Sequence, residues 1–309
     1  MHNEAQHIVE FIGALYQKAK EHFSEVTIIA IDDGSQDSTS DEIGSLLDTL
    51  PIRLIKLSRN FGKEAALTAG IEVATRLPQQ PDAVLTLDAD FQHPLNVVDQ
   101  LVAHWAEGVD MVYGVQRRTQ KESLLKRAFT RLFYRLLAAN GERFQIPPDA
   151  GDFRLMDQRV VNALAQLPER NRFMKGLYAW VGFKTAGVEF DPAPRASGET
   201  AFSPKHLVGL ALDGITAFTA WPLRLAAFMG VIISAAALSY GIWIVFEWLW
   251  IGQPIPGFAT LASALMFFSG VQLMSIGLLG EYLGRVFAEV KARPIYLIDS
   301  EITGKGLRE

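Results

Sequence analysis

The chain contains no cysteine, which excludes a disulfide framework, a thiolate nucleophile and a cysteine-ligated metal. It has no surplus of positive charge: Lys+Arg number 29 against 34 Asp+Glu, a formal net charge of -5. Nothing global therefore points to nucleic acid as a partner. The N-terminus, MHNEAQHIVEF, has no basic region followed by an apolar core and does not read as a signal peptide. Charge itself is missing from two stretches near the C-terminus. Neither Leu225–Phe246 nor Trp248–Gly280 contains an Asp, Glu, Lys or Arg. Each is long enough to cross a hydrocarbon core about 30 Å thick, which takes roughly 20 helical residues. Insertion into a lipid bilayer would then be directed by these C-terminal segments.

What charge there is around the two runs orients them. Lys205, Arg224, Arg285, Lys291 and Arg293 all lie outside the hairpin, and the connecting stretch Ile251–Gly257 has none. The positive-inside rule places both ends in the cytoplasm. Glu247 then falls near the far interface. A pair of buried core helices is the competing reading, but runs this long would need an unusually thick protein shell. The expected division is a catalytic domain at 1–200, a juxtamembrane amphipathic helix at 201–222, two membrane helices at 223–284 and a cytoplasmic tail at 285–309.

Before the hairpin the pattern alternates. Helices are predicted at His7–Lys20, Gly62–Ala74, Leu95–Trp105, Ser123–Ala138 and Gln158–Leu167 from apolar residues at helical spacing. Strands are predicted at Glu25–Ile31, Arg53–Leu57, Ala83–Leu87 and Met111–Val115, with a short edge strand at Val188–Phe190. Gly141–Asp149 and Asp191–Gly198 read as loops, and Pro204–Phe218 as a helix lying on the membrane interface. The fold class is α/β: a mostly parallel, mixed sheet with flanking helices, followed by the transmembrane hairpin. The first helix begins almost at Met1, with no strand ahead of it.

Two acidic motifs close strands, where such sheets bind ligands. Asp88 and Asp90 stand two apart, so both carboxylates can share a face. Their repulsion is relieved by a hard divalent cation such as Mg²⁺ or Mn²⁺, shared with substrate phosphates, and Gln92 follows closely. Two solvated loop-capping aspartates are the bland alternative. Asp32 and Asp33 end another strand before Gly34; Asp33 is the stronger candidate for ligand contact, while Asp37, Ser38 and Thr39 suit a helix cap. His93 could be a metal ligand or base, though a surface histidine beside a proline is more often neither.

Basic residues gather locally at Arg117, Arg118, Lys121, Lys126, Arg127, Arg131 and Arg135. Guanidinium groups match phosphate geometry, and Arg117 and Arg131 are favoured for that role; attraction to anionic headgroups is the alternative. Asp152 could orient an acceptor or sugar hydroxyl, and Arg195 could neutralise a phosphate. A turn aspartate and a solvated loop arginine explain them equally well.

The ordered motifs resemble family-2 glycosyltransferases of the polyprenyl-phosphate type, which include bactoprenol glucosyltransferases and dolichyl-phosphate mannose synthase. They are His2-Asn-Glu4, Asp32-Asp-Gly-Ser35 with Asp37 and Thr39, and Ser58-Arg-Asn-Phe-Gly-Lys63. Leu87-Asp-Ala-Asp90 with Gln92 and Pro94 follows, then Gly151-Asp-Phe-Arg-Leu155, then Arg195 with Gly198-Glu-Thr200. The resemblance spans essentially the whole chain, through the tail Arg293–Ile298. It implies a GT-A-like catalytic domain that inverts configuration while moving a hexose, glucose by preference, from a nucleotide-diphosphate sugar to undecaprenyl or another polyprenyl phosphate. Mannose, N-acetylglucosamine or a modified arabinose are alternatives, as are a processive polysaccharide synthase and a non-enzymatic membrane assembly subunit. Asp32, Asp33, Lys63, Asp88 and Gln92 would hold the donor, with Asp88, Asp90 and Gln92 at the metal. Asp90, Asp152, Arg117, Arg131 and Arg195 would make up the catalytic set. A homo-oligomer in a bacterial inner membrane, with both termini cytoplasmic, is implied. The family normally has a strand before Asn-Glu, which suggests a shortened start, and Ala201 stands where many members carry lysine.

Overall fold

The computed structural model describes residues 1–117, 147, 150–170, 172–193, 221–251 and 257–305. Helix α1 (Ile8–Lys20) buries Ile8, Phe11, Ile12 and Leu15, one apolar stripe at helical spacing, and ends with Lys18 and Lys20 in its last turn. β1 (Ile28–Asp32) runs parallel to β2 (Ile52–Leu57), from Ile28 opposite Ile52 to Asp32 opposite Lys56. The short α2 (Thr39–Gly44) lies between them in sequence. After α3 (Lys63–Thr75) come β3 (Ala83–Thr86), α4 (Val97–Ala106) and β4 (Met111–Gln116). β5 (Ala150–Asp157) leads directly into α5 (Gln158–Ala165), capped by the Asp157 carboxylate, which accepts from the Arg159 N–H. α6 (Met174–Trp180) and β6 (Thr185–Phe190) complete the soluble part before the tail.

The described strands form two sheets, β1-β2-β7 and β3-β5-β4-β6, with β7 (Ile298–Thr303) contributed by the tail. Residue alternation explains how the second sheet is covered on both sides. Met111 and Met156 face α3, α5 and α6 through Ile71, Val160, Leu164, Met174 and Leu177. Their neighbours Val112 and Leu155 face the other way, against Val97, Val98 and Leu101 of α4. A third core joins the sheets, packing Leu85 and Leu87 with Ile8, Phe11, Ala30 and Leu54. Along the edge of β1, the Met1 amine donates to Ile31 O and the Asp33 N–H donates to Met1 O.

Parallel pairing is less dominant than the sequence pattern predicts. Among the described strands β1–β2 and β4–β6 are parallel, whereas β2–β7, β3–β5 and β4–β5 are antiparallel. The difference comes from β5 and β7, neither of which reads as a strand in the sequence. Their segments, AGDFRLMD and IDSEIT, are interrupted by charged residues. The predicted helices Ser123–Ala138 and Pro204–Phe218 lie outside the described residues.

Two long helices follow, α7 (Trp221–Ile251, 31 residues) and α8 (Phe258–Lys291, 34 residues). At 1.5 Å per residue each is roughly 45–50 Å long. Both contain apolar windows, Ala226–Glu247 and Ser263–Lys291, that are not buried by protein. Phe228, Val231, Ile242 and Trp243 on α7, and Leu265, Met266, Leu273 and Met274 on α8, all point outward. A helix pair with apolar side chains exposed all round suits lipid, not water. α8 stops at Ala292, whose φ of 53° is left-handed, and Arg293-Pro294 sends the chain back to the edge of β2.

Candidate active site

The turn after β1 is built by its own carboxylates. Asp32 is fully buried, and its side chain accepts from the Ser35 N–H at 2.9 Å and from the Ser40 hydroxyl. Asp33 is 5% exposed; Oδ1 accepts from the Phe61 N–H at 2.7 Å and Oδ2 from the Gly62 N–H at 2.9 Å. These bonds fasten the turn to the loop between β2 and α3. Gly34, at φ +65°, sits where a Cβ would come within 2.4 Å of the Arg59 carbonyl carbon, so no larger residue fits without moving backbone.

The pairing of β3 with β5 ends at Thr86 opposite Arg154, and Asp88 and Asp152 each lie two residues beyond that pair. The Thr86 hydroxyl donates to Asp152 O at 2.7 Å. Lys63, the first residue of α3, joins the two acids: its ammonium lies 2.7 Å from Asp88 Oδ2 and 2.9 Å from Asp152 Oδ2. Burial works against that charge, but Asp152 and Asp88 more than offset it and hold the lysine above its ordinary pKa. Asp90 Oδ1 accepts from the Gln92 N–H at 3.0 Å across Phe91. Phe91 itself adopts φ 58°, a left-handed conformation uncommon outside glycine. Its ring meets Phe11 edge-on at 5.1 Å, an anchor that holds the turn in place.

Behind this front lies a layer of aromatic rings and one buried cation. His93 stacks on Phe153 at 4.9 Å and meets Phe190 edge-on. Burial lowers its pKa, opposed by Asp88 and Asp90, and its Nδ1 is buried without a hydrogen-bond partner. Arg154, 2% exposed, lies between the rings of Tyr178 (4.1 Å) and Tyr113 (5.0 Å), and its Nε donates to Gly151 O. Burial lowers its pKa from the ordinary arginine value, while nearby Asp152 opposes that shift. Sequence reasoning gave Arg154 no role; a charged residue inside a strand signals one only once the flanking tyrosines are in view.

The structure brings together Lys63, Asp88 and Asp152, with Asp90, Gln92 and His93 on the adjoining turn. Asp32 and Asp33 support the neighbouring turn. Arg117 is engaged elsewhere: it is mostly exposed and pairs with Glu189 at 3.1 Å and Asp191 at 3.5 Å. Arg131 and Arg195 lie outside the described residues, as do Arg118, Lys121, Arg127 and Ala201.

Among the described residues two places offer donors for a hard cation. Asp88 and Asp90 supply carboxylate oxygens, and Asp152, which shares the Lys63 ammonium with Asp88, has a buried Oδ1 without a hydrogen-bond partner. This donor set fits Mg²⁺ or Mn²⁺. Separately, ligand atoms of Glu21, His22 and Asp99 all lie within 4.8 Å of one another, a set that can also take a divalent ion. There the Lys18 ammonium already sits 2.6 Å from both Glu21 and Asp99. Hydrogen bonds from Lys18 and then His22 hold Asp99 below the usual carboxylate range. An entering ion would have to displace that lysine.

The glycosyl transferase family 2 model matches residues 1–164 of this sequence. The chain belongs to that family. A second model, the GtrB C-terminal hairpin, matches residues 221–286, the region of α7 and α8. This family-2 glycosyltransferase, with its mixed strand pairing and flanking helices, is 43% identical over 299 residues to an uncharacterised glycosyltransferase of Synechocystis sp., covering 96% of this chain and 92% of that one. It is 39% identical over 305 residues to the SfII prophage-derived bactoprenol glucosyl transferase of Shigella flexneri, covering 98% and 96%. The prophage bactoprenol glucosyl transferase homolog of Escherichia coli K12 is 38% identical over 297 residues, covering 96% and 95%.

Proposed function

We propose that this glycosyltransferase moves a hexose, glucose by preference, from a nucleotide-diphosphate sugar to a polyprenyl phosphate at the cytoplasmic face of a bacterial inner membrane. The observation that carries the reading is the Lys63 bridge between Asp88 and Asp152, in a chain that continues into two apolar helices. The 39% identity to a bactoprenol glucosyl transferase supports the same substrates. A lipid acceptor cannot leave the bilayer, so its phosphate must be met at the membrane surface.

The chemistry asks little of a base. A phosphate monoester has its second pKa near 6, so the acceptor oxygen is already an anion at neutral pH. That oxygen forms a bond to the anomeric carbon as the bond from this carbon to the donor diphosphate breaks, and configuration inverts. Asp152 orients the acceptor side, and Lys63 presents its ammonium to the phosphates once they compete for it. Asp32 and Asp33 shape the nucleotide side through the turn they hold. Asp88 and Asp90, with Gln92 behind them, would hold Mg²⁺ or Mn²⁺, which supplies positive charge to the departing diphosphate. Arg117, Arg131 and Arg195 are assigned to phosphates of donor or acceptor, Arg117 by exchanging its surface acids for substrate.

The same reading places both termini in the cytoplasm, with a catalytic domain at 1–200, an interfacial helix at 201–222, the spans at 223–284 and a tail from 285. It includes self-association through the outward faces of α7 and α8 and no nucleic-acid partner. The test is transfer of labelled sugar into the chloroform-soluble fraction. Purified enzyme, undecaprenyl phosphate and a panel of glucose, mannose, N-acetylglucosamine and aminoarabinose donors are needed. A lipid-linked product with the glucose donor is expected, and its loss in Asp90→Ala with the protein still folded. Absence of product with every donor, or full activity in Asp90→Ala, overturns the assignment.

A further inference from the structure

Helix α3 touches the carboxylate cluster at one end and two elements flanking α8 along its length. Its first residue is Lys63, the ammonium between Asp88 and Asp152. The next, Glu64, accepts at Oε2 from the Met174 N–H at 2.8 Å. Met174 opens α6 and follows a segment whose Arg170 reaches the membrane helix. The Arg170 N–H donates to Glu289 Oε1 at 2.9 Å, and Arg170 Nη1 donates to Arg293 O at 3.0 Å. Glu289 belongs to the last turn of α8, and Arg293 follows its end. Arg172 stiffens the intervening segment, donating to Leu167 O and Glu169 O. Two turns further along α3, Glu72 Oε2 accepts from the Tyr296 O–H at 2.9 Å. Tyr296 lies between α8 and β7 and packs against the cluster formed by Ile31, Ile55, Leu57, Ala69 and Val73. Glu72 also receives Arg76 at 3.1 Å.

Helix packing alone does not call for a carboxylate at position 64. Its burial costs free energy, and the neighbouring Asp152 adds repulsion. What the side chain gains is a hydrogen bond from the backbone of the segment that holds α8. We propose that α3 is a strut fixing the reacting carboxylates relative to the cytoplasmic end of α8, with Glu64 and Glu72 as its two positioning residues. Its consequence for acceptor use rests on the transfer reading above; its structural half does not. The strut sets where Lys63 and Asp152 stand with respect to the surface at which a lipid phosphate arrives.

Hydrogen exchange on the full chain in phosphatidylethanolamine–phosphatidylglycerol nanodiscs tests the structural half. Glu64→Ala should speed exchange in 167–176 and also in 289–297, beyond the lost bond itself. Tyr296→Phe should speed exchange in 289–300 and leave the Met174 amide protected. Glu64→Gln still offers a carbonyl oxygen to Met174 and should restore the parent pattern. In transfer assays, Glu64→Ala and Tyr296→Phe should each raise KM for polyprenyl phosphate about fivefold, the equivalent of one hydrogen bond of about 1 kcal/mol. KM for the nucleotide sugar and kcat should hold within about twofold of the parent. Parent exchange rates across 167–176 and 289–297 in Glu64→Ala overturn the strut. So does faster exchange there without a change in acceptor KM. Should Glu64→Ala fail to fold, Tyr296→Phe decides on the same two readouts. An inactive parent enzyme would count against the transfer reading and leave the exchange result standing.

Discussion

Replacing Gly34 by alanine separates steric exclusion from conformational preference. At φ +65° an alanine costs about 1–2 kcal/mol for the left-handed backbone. The larger penalty comes from its neighbours. The new Cβ would lie 2.4 Å from the Arg59 carbonyl carbon, 2.6 Å from Asn60 N and 2.7 Å from Arg59 Cα. All three are backbone atoms, so no side chain can swing aside. The loop at 59–62 must retreat, and with it the Phe61 and Gly62 amides that donate to Asp33. Hydrogen bonds to a charged group contribute about 1.5–3 kcal/mol each. Losing even one brings the total to roughly 3–5 kcal/mol, a large share of a stability of about 5–15 kcal/mol. Gly62 is the control: its φ of 94° and ψ of 163° lie in a region almost confined to glycine, but a Cβ there meets nothing within 4 Å, so Gly62→Ala should cost about 1–3 kcal/mol, from the backbone alone. Denaturant unfolding of both variants in detergent gives the comparison, and calorimetric nucleotide binding should fall further for Gly34→Ala. Equal destabilisation by the two substitutions would refute the reasoning.

Glu64→Gln should flatten the pH dependence of stability. Burial pushes the Glu64 carboxyl up to about 7, Asp152 adds to the rise, and the Met174 N–H, Lys63 and Lys175 oppose it. The folded state therefore binds this proton more tightly than the unfolded chain. Its contribution is fully present below about pH 4.5 and lost as pH rises through about 7, on the order of 3 kcal/mol at most. Urea titrations at pH 5 and 8 should show the parent losing stability relative to the glutamine variant; parallel curves would sink the idea. Lys63→Met should leave Asp88 and Asp152 repelling each other, lower stability by about 1–3 kcal/mol and tighten Mn²⁺ binding read by electron paramagnetic resonance in the absence of substrate. Weaker Mn²⁺ binding would remove the lysine from competition with the cation. Arg154→Leu should destabilise by about 3–5 kcal/mol, because Asp152 loses a nearby buried positive charge; a neutral result in thermal unfolding would contradict that role.

The helices and strands that read clearly from sequence are those with one dominant period. α1 shows its stripe of Ile8, Phe11, Ile12 and Leu15 without help from the rest of the chain, β1 is a short β-branched run, and β2 alternates aliphatic residues with Arg53 and Lys56. The acidic ends of β1 and β3 were equally legible, since paired aspartates after an apolar strand advertise a charged site. β5 was not. Its Arg154 is buried because Tyr113 and Tyr178, distant in sequence, sandwich the guanidinium, and no local window contains that information. β7 was hidden for a different reason: IDSEIT has little apolar surface of its own, and its strand form depends on pairing to β2 after the chain returns from α8. The bonds that Asp33 makes were not legible either, because its two oxygens accept from the amides of a loop reached only through the fold.

Charge balance in the cluster argues for how the site works. Asp88 and Asp152 share a single ammonium, Asp90 and Glu64 stand close by, and Arg154 is the buried positive charge behind them. Bringing in a nucleotide diphosphate and a lipid phosphate adds further negative charge to a place already short of positive charge. Coulomb repulsion at 4 Å is about 4 kcal/mol per pair at an effective dielectric near 20, so substrates cannot enter unaided. Lys63 alone does not suffice, because turning it toward phosphate uncovers Asp88 and Asp152. A cation held by Asp88 and Asp90 would take over Asp88, one of the two acids that Lys63 releases, while the Arg154 guanidinium stands near the other, Asp152. At Glu21, His22 and Asp99 one ammonium, Lys18, likewise faces two carboxylates, but Glu21 and His22 are exposed, where solvent screens the repulsion. The proposed order is therefore cation together with donor first, lysine displacement second and acceptor last. Metal affinity should rise in the presence of the nucleotide diphosphate and stay unchanged with polyprenyl phosphate alone. Calorimetry with Mn²⁺ can measure both, and tighter metal binding with the lipid phosphate alone would reverse that order.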